Sequence, residues 1–270
     1  MNKPKIKLML DSGAFSAWKQ GLTINLDEYI AYIKRNEQWL HTYVNLDVIP
    51  GAPGRRATQE EMEAAAKASY VNLKKMHKAG LSPMPVFHMG ESFDWLHRLL
   101  DDGEEYIGIG GMGNATNNGQ IHFLDRVFTI LTDQAGEAMV KTHGLGVASF
   151  ILLKRYPWTT CDATSWVLTA AMGSIYVPIT RAGKHDYSQP PVKLTVSEVD
   201  RQNGMPSDHY LRFGPMMKQR VLTFLKEVGV TIEEVTASYE ARARCIVYFY
   251  MEFQDAIGKQ PFRHRLGHFA

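Results

Sequence analysis

Asp11, Asp47, His88 and Asp162 are the side chains with which this sequence could do chemistry, because each stands near the end of an apolar run that reads as a β-strand. Asp11 closes KIKLMLD in the stretch Lys5–Trp18, where Ile6, Leu8 and Leu10 alternate with Lys7 and Met9 as in a buried strand. Ser12, Gly13 and Ala14 then allow a tight turn before the aromatic Phe15. Asp47 lies in HTYVNLDVI, His88 in PMPVFHMG and Asp162 in TTCDATSW. A carboxylate can carry a proton as general acid or base, or attack a sugar carbon and hold a covalent intermediate. A lone strand-end aspartate can equally cap the next helix. Three aspartates and a histidine on one face are harder to explain as structure, because clustered carboxylates repel.

Such convergence needs strands that run parallel and end on the same side. The order of elements predicts this. After the first strand come a helix over Leu26–Asn36, a strand over His41–Ile49 and the loop PGAPGRR. Thr58 and Glu61 resemble a capping box that opens a helix over Gln59–Ala79, which Gly80 closes. Strands follow at Pro83–Gly90, Tyr106–Met112, Val140–Val147, Thr159–Trp166 and Ser174–Thr180, with helices over Phe93–Leu100, Ile121–Leu131 and SFILLKRY between them. Ser149 is placed to cap the last of these. Val192–Val196 is a weak eighth strand, and Gly183–Pro191 and Arg201–Ser207 read as loops. From Asp208 the pattern is helical. The fold class expected is α/β: a TIM-like (β/α)8 barrel, irregular in its last strands. Residues 1–200 would form the barrel core with the active site, and 201–270 a helical C-terminal region packed on it.

Composition sets limits. The 270 residues are 45% hydrophobic and 21% charged with a net charge of +2, ordinary globular usage and too little charge to argue for nucleic acid alone. Cys161 and Cys245 build neither a disulfide framework nor a CxxC zinc site. No apolar run is long enough to span a membrane and the N-terminus lacks a signal peptide's apolar core, so the expectation is a cytoplasmic protein. GIGGMG over Gly108–Gly113 matches G-x-G-x-x-G but lies in a strand with no acidic strand end following at the right distance, so it is better read as glycines that allow close backbone approach, which a flat ligand could use. His143 is either a barrel-interior histidine or a site residue. His264 and His268 have metal-like spacing, but Arg263, Arg265 and Gly267 around them suggest a basic tail, and no metal is expected.

Asp11-Ser12-Gly13-Ala14-Phe15 resembles the Asp-Ser-Gly-Gly-Phe motif of the tRNA-guanine transglycosylases. Ile109-Gly110-Gly111-Met112 is similar to their Gly-Gly-Leu base-binding strand. Leu145-Gly146-Val147 followed by Cys161-Asp162 resembles their Met-Gly-Val segment and nucleophile aspartate. Asn45-Leu46-Asp47 falls where they carry a base-recognising aspartate, and Phe87-His88-Met89-Gly90 where they carry Val-Gln-Gly. The run GLGVASFILLKRYPWTTCDATSW is more similar still to the phage and bacterial DpdA-like branch, which inserts 7-deazaguanines into DNA. The ordered motifs cover about Lys5–Trp166. Four features depart from the tRNA enzymes: their three-cysteine-plus-histidine zinc site is missing, His88 replaces a glutamine, Ala14 replaces a glycine, and Gly113-Asn114 stands where they carry a charged Gly-Glu.

The resemblance implies a base exchange with no cofactor, in which a free 7-deazaguanine replaces guanine. Asp162 would be the nucleophile and Asp11 the acid/base. Ser12, Phe15, Asp47, His88, Gly110, Gly111 and Met112 would bind the base, with Phe15 stacking and Asp47 accepting from a guanine-type N1–H and amino group. DNA is the expected polymer, tRNA the alternative. Arg55, Arg56, Arg181 and Lys184, with His185, lie in loops suited to a phosphate backbone, although loop charges are also commonly just solvated. A barrel glycosidase or lyase using the same acids, and a non-catalytic nucleic-acid-binding subunit, are the other readings.

Overall fold

The computed structural model describes residues 7–113, 115–198, 205–258 and 260–263. In chain order the elements are β1 (Leu8–Leu10), α1 (Ala14–Lys19), α2 (Leu26–Asn36), β2 (Leu40–Tyr43), α3 (Gln59–Lys78), β3 (Val86–His88), α4 (Phe93–Asp101), β4 (Tyr106–Gly110), α5 (Asn117–Leu131), β5 (Lys141–Gly144), α6 (Phe150–Arg155) and β6 (Thr160–Cys161). They continue with α7 (Ser165–Ala171), β7 (Ser174–Val177), β8 (Ile179–Arg181), β9 (Lys184–Asp186), β10 (Val192–Thr195), α8 (Pro215–Val228), α9 (Ile232–Ala237) and α10 (Tyr239–Ile257). The chain divides into two compact units: residues 1–146 with 158–161 and 262–270, and residues 147–157 with 162–261. The protein is a mixed α/β chain, and no helix among the described residues is long and apolar enough to cross a membrane.

The first unit is built on parallel strands in sequence order. β1 pairs with β2, and β3, β4, β5 and β6 follow one another in a single sheet. A parallel bridge from Val44 to Met84 joins the two groups. Consecutive strands joined by helices therefore lie side by side, and their carboxyl ends fall on one edge, as βαβ connections require. Strand pairing closes no barrel among the described residues. Caps fix where the helices begin. Asn25 accepts from the N–H groups of Asp27 and Glu28. Thr58 and Glu61 form the reciprocal capping box that opens α3. Apolar faces then pack on the strands: Tyr29, Ile33, Tyr43, Leu46 and Met76 form one cluster, and Phe87 lies against Phe93 and Phe123 at 5.4 and 5.8 Å.

Local expectations were changed at several places. β1 is not buried: Leu8 is 48% and Met9 37% exposed, and among the described residues β1 pairs with β2 alone. β2 stops at Tyr43, since Val44 makes a lone bridge and Asn45 turns its side chain to α3, which leaves Asp47 in the following loop. Ser149 precedes α6 but its side chain makes no capping bond.

In the second unit the expected strand Ser174–Thr180 is two short strands, broken at Pro178, which has no N–H for a ladder. β7 runs antiparallel to β10, the segment read as an eighth strand. β8 forms a hairpin with β9, which falls in the Gly183–Pro191 stretch expected to be loop, turned by Ala182 and Gly183 at φ 49° and 77°. Ile175, Val177 and Leu194 from these strands pack with Val221 and Phe224 of α8 and Phe249 of α10. Arg242 of α10, only 7% exposed, ties the helices together: Nε donates to the Ala170 carbonyl, and Nη1 to those of Val235 and Thr236. These carbonyls lie in the last turns of α7 and α9, and that of Ala170 also accepts from the Gly173 N–H. Arg242→Leu keeps the packing stem and removes the guanidinium donors from these carbonyls. It should cost about 1–3 kcal/mol in urea unfolding, with the larger loss if no water reaches them.

Candidate functional site

The carboxyl ends of β1, β2 and β3 bring together one continuous chain of hydrogen bonds. β3 ends at His88, which lies in register with Gly110 of β4. The chain then turns at Gly90, with φ 108°, and the Glu91 N–H returns to the His88 carbonyl at 3.2 Å. This folds the Glu91 carboxylate back on β3. Its Oε1 lies 3.0 Å from His88 Nδ1, and its Oε2 accepts the His88 backbone N–H at 3.1 Å. The other ring nitrogen, Nε2, lies 3.0 Å from Asp47 Oδ2. Asp47 Oδ1 accepts from the Ser12 hydroxyl at 3.0 Å, and the Ser12 oxygen accepts from the Ala14 N–H at 3.2 Å. Gly13, at φ 72°, lets the chain leave β1 and start α1 in the space required.

Burial gives this chain its electrostatic character. Burial alone would favour a neutral His88, but its hydrogen bonds to the Asp47 and Glu91 carboxylates outweigh it and push the imidazole pKa up to about 10. His88 is thus an imidazolium at neutral pH, held between two carboxylates. Nearby, burial and then the charges of Asp11 and Asp47 raise the Tyr29 phenol, which donates to the Val44 carbonyl at 2.8 Å. Asp11, exposed beyond β1, and Asp47 therefore act on the same neighbourhood.

The glycines serve this packing. A Cβ on Gly111, at φ 75°, would lie 3.0 Å from the Met89 nitrogen and 3.1 Å from His88 Cβ. Cβ atoms on Gly108 and Gly110 would press on Leu145 and Val86. The close approach is to neighbouring strands and the His88 turn.

Ser12, Asp47, His88, Gly110 and Gly111 are brought together in the first unit, with Asp11 beside them. Phe15 is 61% exposed, with its ring 5.7 Å from that of Trp18. Met112 is buried, and its carbonyl accepts from Gln120. Asp162 is exposed and follows β6 as a residue of the second unit. His143 is fully buried on β5, with Nδ1 at 2.7 Å from Thr160 Oγ1. Arg55 is engaged by Glu61, the capping residue of α3, whose carboxyl it holds down to about 2. Arg56 and Lys184 are exposed, and Arg181 lies 3.8 Å from Asp186. His185 Nε2 meets Glu227 at 2.6 Å. His264 and His268 lie outside the described residues. Among the described residues no group of three His, Cys, Asp or Glu side chains is arranged to hold a metal. Glu91 was not anticipated; the signal available was its spacing, three residues past a strand-end histidine and just after a glycine.

Because the folded state raises the His88 pKa, its stabilising contribution is full below the ordinary histidine value of about 6.5 and is lost as pH rises from there through about 10. Urea unfolding between these limits should therefore show stability falling with pH in the wild type and a flatter profile in His88→Gln. Glu91→Gln should move the NMR titration midpoint of His88 downward, since one of its two anionic partners is gone. No family model matches this chain, and no curated protein does.

Proposed function

We propose that this chain is a base-exchange transglycosylase that replaces guanine in DNA with a 7-deazaguanine. The observation that carries this reading is the meeting of Ser12, Asp47 and His88 at the ends of consecutive parallel strands, beside Asp11 and the Gly110–Gly111 backbone. The proposed framework is a TIM-like barrel irregular in its last strands; the consecutive order of the parallel strands supports it.

The reaction is a double displacement with net retention. The Asp162 carboxylate attacks C1′ of the nucleotide as the C–N bond to guanine breaks, and Asp11 gives the departing base its proton. The incoming base then loses a proton to Asp11 and attacks C1′ from the face the guanine left, which releases Asp162. Asp47 retains lone pairs beyond those used by Ser12 and His88, so it can accept from two adjacent N–H donors on a guanine-type edge. His88 has both ring nitrogens committed, so its part is to hold Asp47, while backbone N–H groups near Gly111 face the carbonyl edge. Phe15 offers an exposed stacking surface. Arg56, Arg181 and Lys184 are the exposed cations for a phosphate backbone, with Arg55 tied to Glu61. A duplex base must be flipped out to react.

A labelled-guanine exchange assay on DNA and tRNA tests this. Asp162→Ala should show no exchange and no covalent adduct with the polymer, and Asp11→Asn should be slower by at least ~10²-fold, the usual scale of general acid–base help. An active Asp162→Ala sinks the mechanism. The polymer is tested separately: single-stranded or mismatched DNA should react faster than perfect duplex, and exchange into tRNA alone would overturn the choice of DNA while leaving the transglycosylase standing.

A further inference from the structure

Asp47 stands in a loop, yet the peptide on each side of it is bound to one helix. β2 ends at Tyr43, and Leu46, Asp47 and Val48 belong to no strand. α3 supplies the partners that a ladder would have supplied. Ser69 and Asn72 stand three residues apart on it, so their side chains share a face. Asn72 Nδ2 donates to the carbonyl of Leu46, the residue before Asp47, at 2.8 Å. The Ser69 hydroxyl accepts the N–H of Val48, the residue after it, at 2.8 Å. That hydroxyl gives its own hydrogen to the Ala65 carbonyl one turn back, which leaves a lone pair for the loop. Asn45 Nδ2 adds a third bond, to the Ser69 carbonyl at 2.9 Å, and the Asp47 N–H closes on the Asn45 carbonyl at 2.9 Å. The buried face of α3 is otherwise Ala65, Ala66, Leu73 and Met76. A hydroxyl among them costs free energy unless it is bonded, so packing alone would be served as well by alanine. What Ser69 adds is direction.

We infer that Ser69 and Asn72 are positioning residues: from α3 they hold the backbone on both sides of Asp47 and so set where its carboxylate points. Both act through the peptides that flank Asp47. The aim follows from these hydrogen bonds; its use in seating the incoming base rests on the proposed function. A carboxylate that accepts two adjacent N–H groups must lie along the base edge, and a loop free to turn would lose that geometry.

The NMR titration midpoint of His88 reports the aim, because Asp47 is one of the two anions on its ring. Asn72→Ala and Ser69→Ala each release one side of the loop. The midpoint should fall by about half a unit or more in both, a roughly threefold weaker hold on the proton. Asn72 is half-buried, and its variant decides the matter should Ser69→Ala fail to fold. Ser69→Thr keeps the hydroxyl and should return the midpoint to the wild-type value. Arg242→Leu, which loosens the second unit, should leave the midpoint unmoved. In exchange assays KM for the free base should rise roughly tenfold in Asn72→Ala with kcat within about twofold, the mark of lost binding rather than lost chemistry. A midpoint unmoved in Asn72→Ala, or moved as far by Arg242→Leu, overturns the inference whatever the exchange assay shows. A lowered midpoint with KM unchanged overturns the part in base binding and leaves the transglycosylase standing. A wild-type chain without exchange overturns the proposed function alone, and the midpoints still decide whether α3 aims Asp47.

Discussion

The first unit depends on a buried cation. An imidazolium removed from water is expensive unless anions meet it, and His88 has one on each ring nitrogen. Each anion comes from a different stretch of chain. Glu91 arrives by a tight turn at Gly90, Asp47 by the loop after β2, and Ser12 reaches Asp47 from the end of β1. Glu91 or Asp47 placed elsewhere leaves the imidazolium with one anion fewer. The loop geometry at three strand ends is therefore set by electrostatics, and the parallel strands supply only the common edge on which it happens.

Rigidity follows from the same arrangement. The loop around Asp47 has no ladder of its own, yet its backbone is bracketed: Val48 donates to Ser69, Asn72 donates to the Leu46 carbonyl, and Trp18 donates to the Gly51 carbonyl. An aspartate that must present lone pairs in a fixed direction is held by side chains on both faces. Support of this kind keeps a side chain's geometry from relaxing.

Much of this was legible where the signal is local. The bounds of α2 follow from Asn25 and the Tyr29–Ile33 spacing, and the opening of α3 from Thr58 and Glu61. The parallel alternation of strands was visible as far as β6. What escaped notice is what depends on distant partners. His41–Ile49 reads as one strand, but only its first part finds a neighbour for a ladder; Leu46 packs into the cluster around Tyr29 and Met76 instead. Arg55 reads as a loop cation until Glu61, a cap residue, is seen to take it. The β8–β9 hairpin carries Ala182 where asparagine or glycine would signal the turn. Glu91 has no meaning in the sequence until Gly90 turns it back on His88.

The sharing of His88 between two acids restricts how a lineage could change this site. A glutamine at position 88 would carry no charge. A neutral amide there can still reach Asp47, but it cannot neutralise Glu91, which would become a buried carboxylate facing no charge. Replacing His88 alone leaves Glu91 a buried carboxylate without its cation, and replacing Glu91 alone leaves the imidazolium with one anion. Position 91 thus limits which side chains position 88 can carry, although Glu91 reaches Asp47 only through His88.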